Sequence, residues 1–222
     1  MTTRERPILF SAPMVRAILA GIKSQTRRIV KPQPYVDGMG NFCWNGSNFG
    51  QDFKGPRVQA IASPVPSSKT KRVHCPYGRP GDVLWVREAH WWYEDSHDPV
   101  TGYFPPPLTI EDVEYRADGN SDRRCWRSPI HMPRWASRID LRITDVRVER
   151  LQDISPDDAK AEAAPCYVCG NPMTGLGDDD CYCFRRRPDA TDFRNAWEFI
   201  NGPGSWDANP WVWVVEFERI KP

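Results

Sequence analysis

Residues 18–28, ILAGIKSQTRR, pass from apolar to densely polar within one short stretch, and their reading organises the rest of the chain. Just upstream, ILFS (8–11) reads as a short strand. APMVRAILAG follows as a helix: Pro13 suits a first turn, Val15, Ile18 and Leu19 form one apolar face, and Gly21 stops it. Thr26 to Val30 then read as a second strand, closed by Lys31-Pro32. A helix-to-strand turn at Gly21 gathers Lys23, Thr26 and Arg28 within a few residues. Directed into one concavity, these side chains hold a phosphate, a carboxylate or a carbonyl oxygen.

Working outward, residues 33–80 are rich in Pro, Gly, Ser and Asn without sustained periodicity, and read as an irregular insertion. Arg79-Pro80-Gly81-Asp82 is a turn into the strand VLWVRE (83–88). A loop region at 95–112 precedes a short strand near 113–117. Ile139, Leu141 and Ile143, then Val146 and Val148, alternate with polar residues as a half-buried strand does. Ser155 caps a helix reaching about Ala163, with Pro156 at its first position and acids in its first turn. TDFRNAWEFING is an amphipathic helix ending at Gly202, and WVWVVEFERI is a strand apolar on both faces, hence central. The order predicts a single α+β domain over 1–222, with insertions at 33–80 and 165–187.

Lys plus Arg (30) nearly balances Asp plus Glu (29), so the distribution of charge says more than its sum. Residues 1–35 carry a local net of +6 and residues 121–150 a net of +4, while 88–118 holds eight acids and only Arg116. Two basic segments that meet in space make a surface for phosphates; on separate faces they are ordinary solvated charges. The opening MTTRERPILFSAPM lacks a signal-peptide run, and no stretch is apolar for long enough to span a bilayer. A cytoplasmic protein without membrane partners is therefore expected, and seven Cys argue against a closed disulfide framework.

On four motifs the chain resembles the ASCH family: ILAG-x-K-x-x-T-x-R at Ile18 to Arg28, G-D-V-L at Gly81 to Leu84, the helix spacing from Leu151 through Ala159 to Glu162, and the C-terminal WVVEF. The resemblance spans the chain between its insertions, and the whole sequence also looks like proteins encoded in tailed phages and prophages. It implies a small PUA-like β-barrel with flanking helices and a pocket of nucleobase size. One small bacterial member hydrolyses N4-acetylcytidine with a Lys, a Thr and a Glu, which map onto Lys23, Thr26 and Glu162. Other members are ribonucleases, or readers of RNA or modified bases, so the partner implied is a nucleoside or nucleic acid, RNA or modified DNA.

The residues leave the roles open. Lys23 acts as a base only if its pKa falls by roughly 3 units; charged, it stabilises an oxyanion. Thr26 is then a nucleophile or holds water, with Glu162 moving protons. Alternatively Lys23 and Glu162 form an ion pair closing a binding pocket. Arg27, Arg28, Glu88, Arg134 and Trp135 are the candidates for substrate contact, Trp135 as a stacking plane. Cys166-x2-Cys169 and Cys181-x-Cys183 place four thiols within 18 residues, the ligand set of a structural zinc knuckle. Free thiols or a reversible disulfide are the other readings, and no organic cofactor is expected.

Overall fold

The computed structural model describes residues 3–44, 46–48, 75–92, 109–119, 125–163 and 190–220. Among these residues, ten strands and three α-helices follow one another as β1 (Glu5–Leu9), α1 (Ala12–Leu19), β2 (Gln25–Ile29), β3 (Tyr35–Val36), β4 (Phe42–Trp44), β5 (Ser47–Asn48), β6 (Val83–Arg87), β7 (His90–Trp92), β8 (Val113–Tyr115), β9 (Asp140–Arg150), α2 (Pro156–Glu162), α3 (Ala190–Asn201) and β10 (Trp211–Ile220). The fold is mixed α and β around a five-stranded sheet ordered β1-β6-β9-β10-β2. Among the described strands of this sheet only the β1–β6 pair is parallel. β3-β4-β5 and β7-β8 form two smaller sheets. The first of these lies inside the segment 33–80 that read as irregular: its strands are two or three residues long, too short to show a period.

The sheet is buried on both faces. Trp213, Val215 and Phe217 of β10 join Ile8, Leu84, Leu141 and α1 in one core, while Val212 and Val214 join Leu151, Ala159, Phe193 and Trp197 in a second. That double burial makes WVWVV continuously apolar instead of alternating. The change of parity in β9, from Ile143 to Val146, has a structural cause. Glu216 pairs with Asp145 and Phe217 with Ile143, leaving Thr144 as an extra residue. This bulge keeps Leu141, Ile143, Val146 and Val148 in the same core despite the break in alternation.

Two ends of the large sheet approach each other. Arg28 on β2 donates from Nη2 to the Leu9 carbonyl at the end of β1, at 2.6 Å. α1 bridges the same two edge strands, and its exit is set by Gly21 at φ 74, a conformation that disfavours any side chain. Among the described residues no helix is long and apolar enough to cross a membrane.

Candidate functional site

Ser24 ties three elements together at the turn after α1. Its N–H donates to the Ala161 carbonyl of α2 at 3.0 Å, and its carbonyl accepts from Phe217 N–H of β10 at 2.8 Å. α2 is itself positioned by its ends. Ser155 Oγ accepts from Asp158 N–H at 3.1 Å, an N-cap that the sequence predicts. At the other end Ala163 takes the left-handed conformation, φ 43 and ψ 53, which ends the helix immediately after Glu162.

Lys23 meets Glu162 there. Its Nζ lies 2.9 Å from Glu162 Oε2, 2.6 Å from the Glu162 carbonyl and 2.8 Å from the Gln25 carbonyl. Three acceptors match the three N–H groups of an ammonium, and two of them sit at the C-terminus of α2, where a cation also suits the helix dipole. Burial pushes the Lys23 pKa below its ordinary value, with Arg28 and Arg27 adding to the push, while Glu162 draws it back up. Geometry favours the charged form: a neutral amine has two N–H groups for three acceptors and no charge to balance the carboxylate. The Nζ is fully enclosed, so Lys23 stands behind Glu162 and does not itself form the cavity wall.

The second oxygen of Glu162 faces Arg27, Nη1 to Oε1 at 3.4 Å. Arg27 is buried and shares its Nη2 between Glu149 Oε1 at 2.5 Å and Asp158 Oδ2 at 3.2 Å. Arg147 extends the network to Glu149 at 3.2 Å, Asp158 at 3.2 Å and Glu216. Gln25 Nε2 donates to the Asp158 carbonyl at 2.6 Å and to Oδ1 at 3.1 Å. Burial raises the Asp158 pKa, but the Gln25 hydrogen bond and the charges of Arg27 and Arg147 outweigh it, and the net shift is downward.

Beside this network lies a cavity of about 470 Å³, within the usual range for small-molecule sites. It wraps around the edge strand β2. Thr26 and Arg28 reach it from the face paired with Val215 and Trp213, whereas Arg27 and Ile29 reach it from the face paired with Val214 and Val212. Glu162 forms part of the wall. Phe193, Trp197, Trp213 and Tyr77 supply aromatic surface, and the exposed Lys31 adds a cation. Burial raises the Tyr77 phenol pKa, and the nearby Arg28 charge counters it.

The structure thus brings Thr26, Arg27, Arg28 and Glu162 to one cavity, with Lys23 directly behind it. Three other candidates lie elsewhere. Glu88 is buried against Arg138, whose Nε is 2.9 Å from Oε1, and burial raises its pKa despite that partner. Arg134 pairs with Glu5 and Asp140, each at 2.9 Å. Trp135 packs on Trp92, ring centroids 5.3 Å apart, and remains 42% exposed, away from the cavity lining. Arg134 is thus held beside β1 and β9, and neither it nor Trp135 lines the cavity.

Sequence reasoning passed over Gln25, Arg147, Glu149 and Asp158. A signal was present: Asp158 precedes Glu162 by four residues and so shares its helix face, and Arg147 and Glu149 share one face of β9. Cys166, Cys169, Cys181 and Cys183 lie outside the described residues, as does the 165–187 insertion. Among the described residues there is no grouping of His, Cys, Asp and Glu that holds a metal. Searches against protein-family models, curated proteins and solved structures return no match to this chain.

Proposed function

We propose that this chain is an ASCH-type protein with a PUA-like curled sheet, which binds a nucleobase beside β2 and hydrolyses the amide of an N4-acylated cytosine nucleoside. The observation that carries this reading is the convergence of three residues far apart in sequence. Lys23 holds Glu162 at 2.9 Å across 139 residues of chain, and Glu162 and Thr26 share the wall of one cavity. The Arg28 bridge from β2 to the Leu9 carbonyl supports the curled-barrel description, since it spans the two edge strands of the sheet. Aromatic walls at Trp197, Phe193 and Trp213 suit a planar base.

In this reading Glu162 is the base. It takes a proton from a water held by Thr26 as the oxygen attacks the acyl carbonyl carbon, then returns that proton to N4 as the C–N4 bond breaks, releasing cytidine and the carboxylic acid. Lys23 and Arg27 fix the two carboxylate oxygens, so Lys23 is a positioning residue. The aromatic lining together with Arg28 and Lys31 also fits a second reading, a non-catalytic reader of RNA or modified DNA bases.

Incubation with N4-acetylcytidine, following cytidine release, separates the two. Wild-type turnover that falls by roughly 10²-fold or more in Glu162→Gln supports hydrolysis. Folded protein that binds oligonucleotides tightly and releases no cytidine would overturn it in favour of the reader.

A further inference from the structure

Among the described residues, the charges around the cavity do not cancel. Glu162, the carboxylate in the wall, is matched by Lys23 and Arg27, and Arg27 is further engaged by Glu149 and Asp158. Two more cations line the same space, Arg28 and Lys31, and neither has a carboxylate partner among the described residues. Arg28 is anchored through Nη2, which holds the Leu9 carbonyl at 2.6 Å; its guanidinium lies over the Phe10 ring at 5.4 Å, and its buried Nε has no partner among the described residues. An anchored guanidinium is a pre-organised anion donor, because little side-chain freedom remains to be lost on binding. Tyr77 lines the same cavity and brings a phenol that can donate a hydrogen bond.

We infer that Arg28, Lys31 and Tyr77 form a phosphate subsite, so that the physiological ligand is a phosphorylated form of the base and not the free nucleoside. This deepens the functional reading above and rests on it for the identity of the base, but the phosphate subsite is testable alone. A neutral nucleoside leaves two cations facing an unfilled part of the cavity. A phosphomonoester or phosphodiester places its oxygens against Arg28 and Lys31 while the base enters along the aromatic lining, with Thr26 and Glu162 at the exocyclic group. The phosphate has two possible sources, a mononucleotide or the backbone of a strand, and both present the same oxygens.

The first measurement is calorimetric titration of the full-length protein with inorganic phosphate at low salt. Binding is expected, and Lys31→Gln and Arg28→Gln are each expected to weaken it by roughly tenfold, the loss of one charged hydrogen bond. Thermal denaturation of each variant checks that it is folded. Phosphate that does not bind, or binds equally well to both folded variants, overturns the inference.

Next, cytidine release is compared for N4-acetylcytidine and its 5′-monophosphate. The monophosphate is expected to have the lower KM by roughly tenfold or more, with the advantage lost in Lys31→Gln. Turnover of both with no preference overturns the phosphate subsite and leaves the hydrolase reading intact. Phosphate binding that depends on Arg28 and Lys31, with turnover of neither, supports the subsite and removes the hydrolase. A short oligonucleotide identifies the source: a strand that outcompetes the mononucleotide marks the backbone as the natural phosphate.

Discussion

At the scale of single residues, Lys23 and Glu162 must be considered as a unit. Neither side chain has more than 6% of its surface exposed, and the ammonium makes contact with both the carboxylate and the end of α2. Removing one partner of a buried pair leaves the other uncompensated, at a cost of about 3–5 kcal/mol. Lys23→Met is therefore expected to lower the free energy of unfolding by about 3 kcal/mol in urea titration. The double variant Lys23→Met with Glu162→Gln should recover part of that loss, because it leaves no unpaired charge. Additive losses in the double variant would show that the two side chains do not interact. Glu162→Gln alone keeps the shape of the side chain, so its effect on turnover reports chemistry more than packing. The acid at 162 and the base at 23 were legible only as a matched pattern, since nothing local indicates that residues 139 apart meet. Glu88 shows the opposite difficulty: a charged residue at a strand end resembles a site residue in sequence, but its actual partner, Arg138, is 50 positions away.

Among the elements, α2 determines where the site is. It has only seven residues, too few to be stable alone, so its caps and side-chain ties decide its position. Ser155→Ala is expected to cost about 1 kcal/mol and to lower turnover through displacement of Glu162, with Ser155→Asp restoring both. Loss of stability without loss of activity would separate the cap from the site. Asp158 links the same helix to β2 through Gln25 and Arg27 and to β9 through Arg147. Its folded pKa is depressed below the ordinary 3.8, so its stabilisation is fully present above about pH 4 and is lost as pH falls through the lower folded value. Acid titration of stability should therefore show a loss below about pH 4 that is shallower in Asp158→Asn; an unchanged acid limb would show that other carboxylates control it. The elements themselves were largely readable: α1, the Ser155 cap and the central position of β10 follow from periodicity and capping chemistry. β3, β4 and β5 were not, because strands this short carry no period, and the Thr144 bulge showed only as a shift of parity in β9.

For the whole molecule, the spacing of Cys166, Cys169, Cys181 and Cys183, which follow Glu162 closely in sequence, points to a zinc knuckle. About one zinc per chain is expected in protein purified under reducing conditions, with four thiols becoming reactive on chelation. Metal analysis that finds none removes the knuckle. The sheet order has a temporal consequence as well. β2 has one neighbour in the large sheet, β10, and the Gln33 amide that flanks it reaches the Trp211 carbonyl 178 residues later. On the ribosome, the Lys23–Arg28 turn therefore emerges long before either α2 or β10 exists to receive it. A nascent chain has the motif but no pocket, and must keep several cations and an unpaired strand edge in water until β10 has been made. Ligand binding by arrested ribosome complexes should thus appear abruptly once β10 clears the exit tunnel.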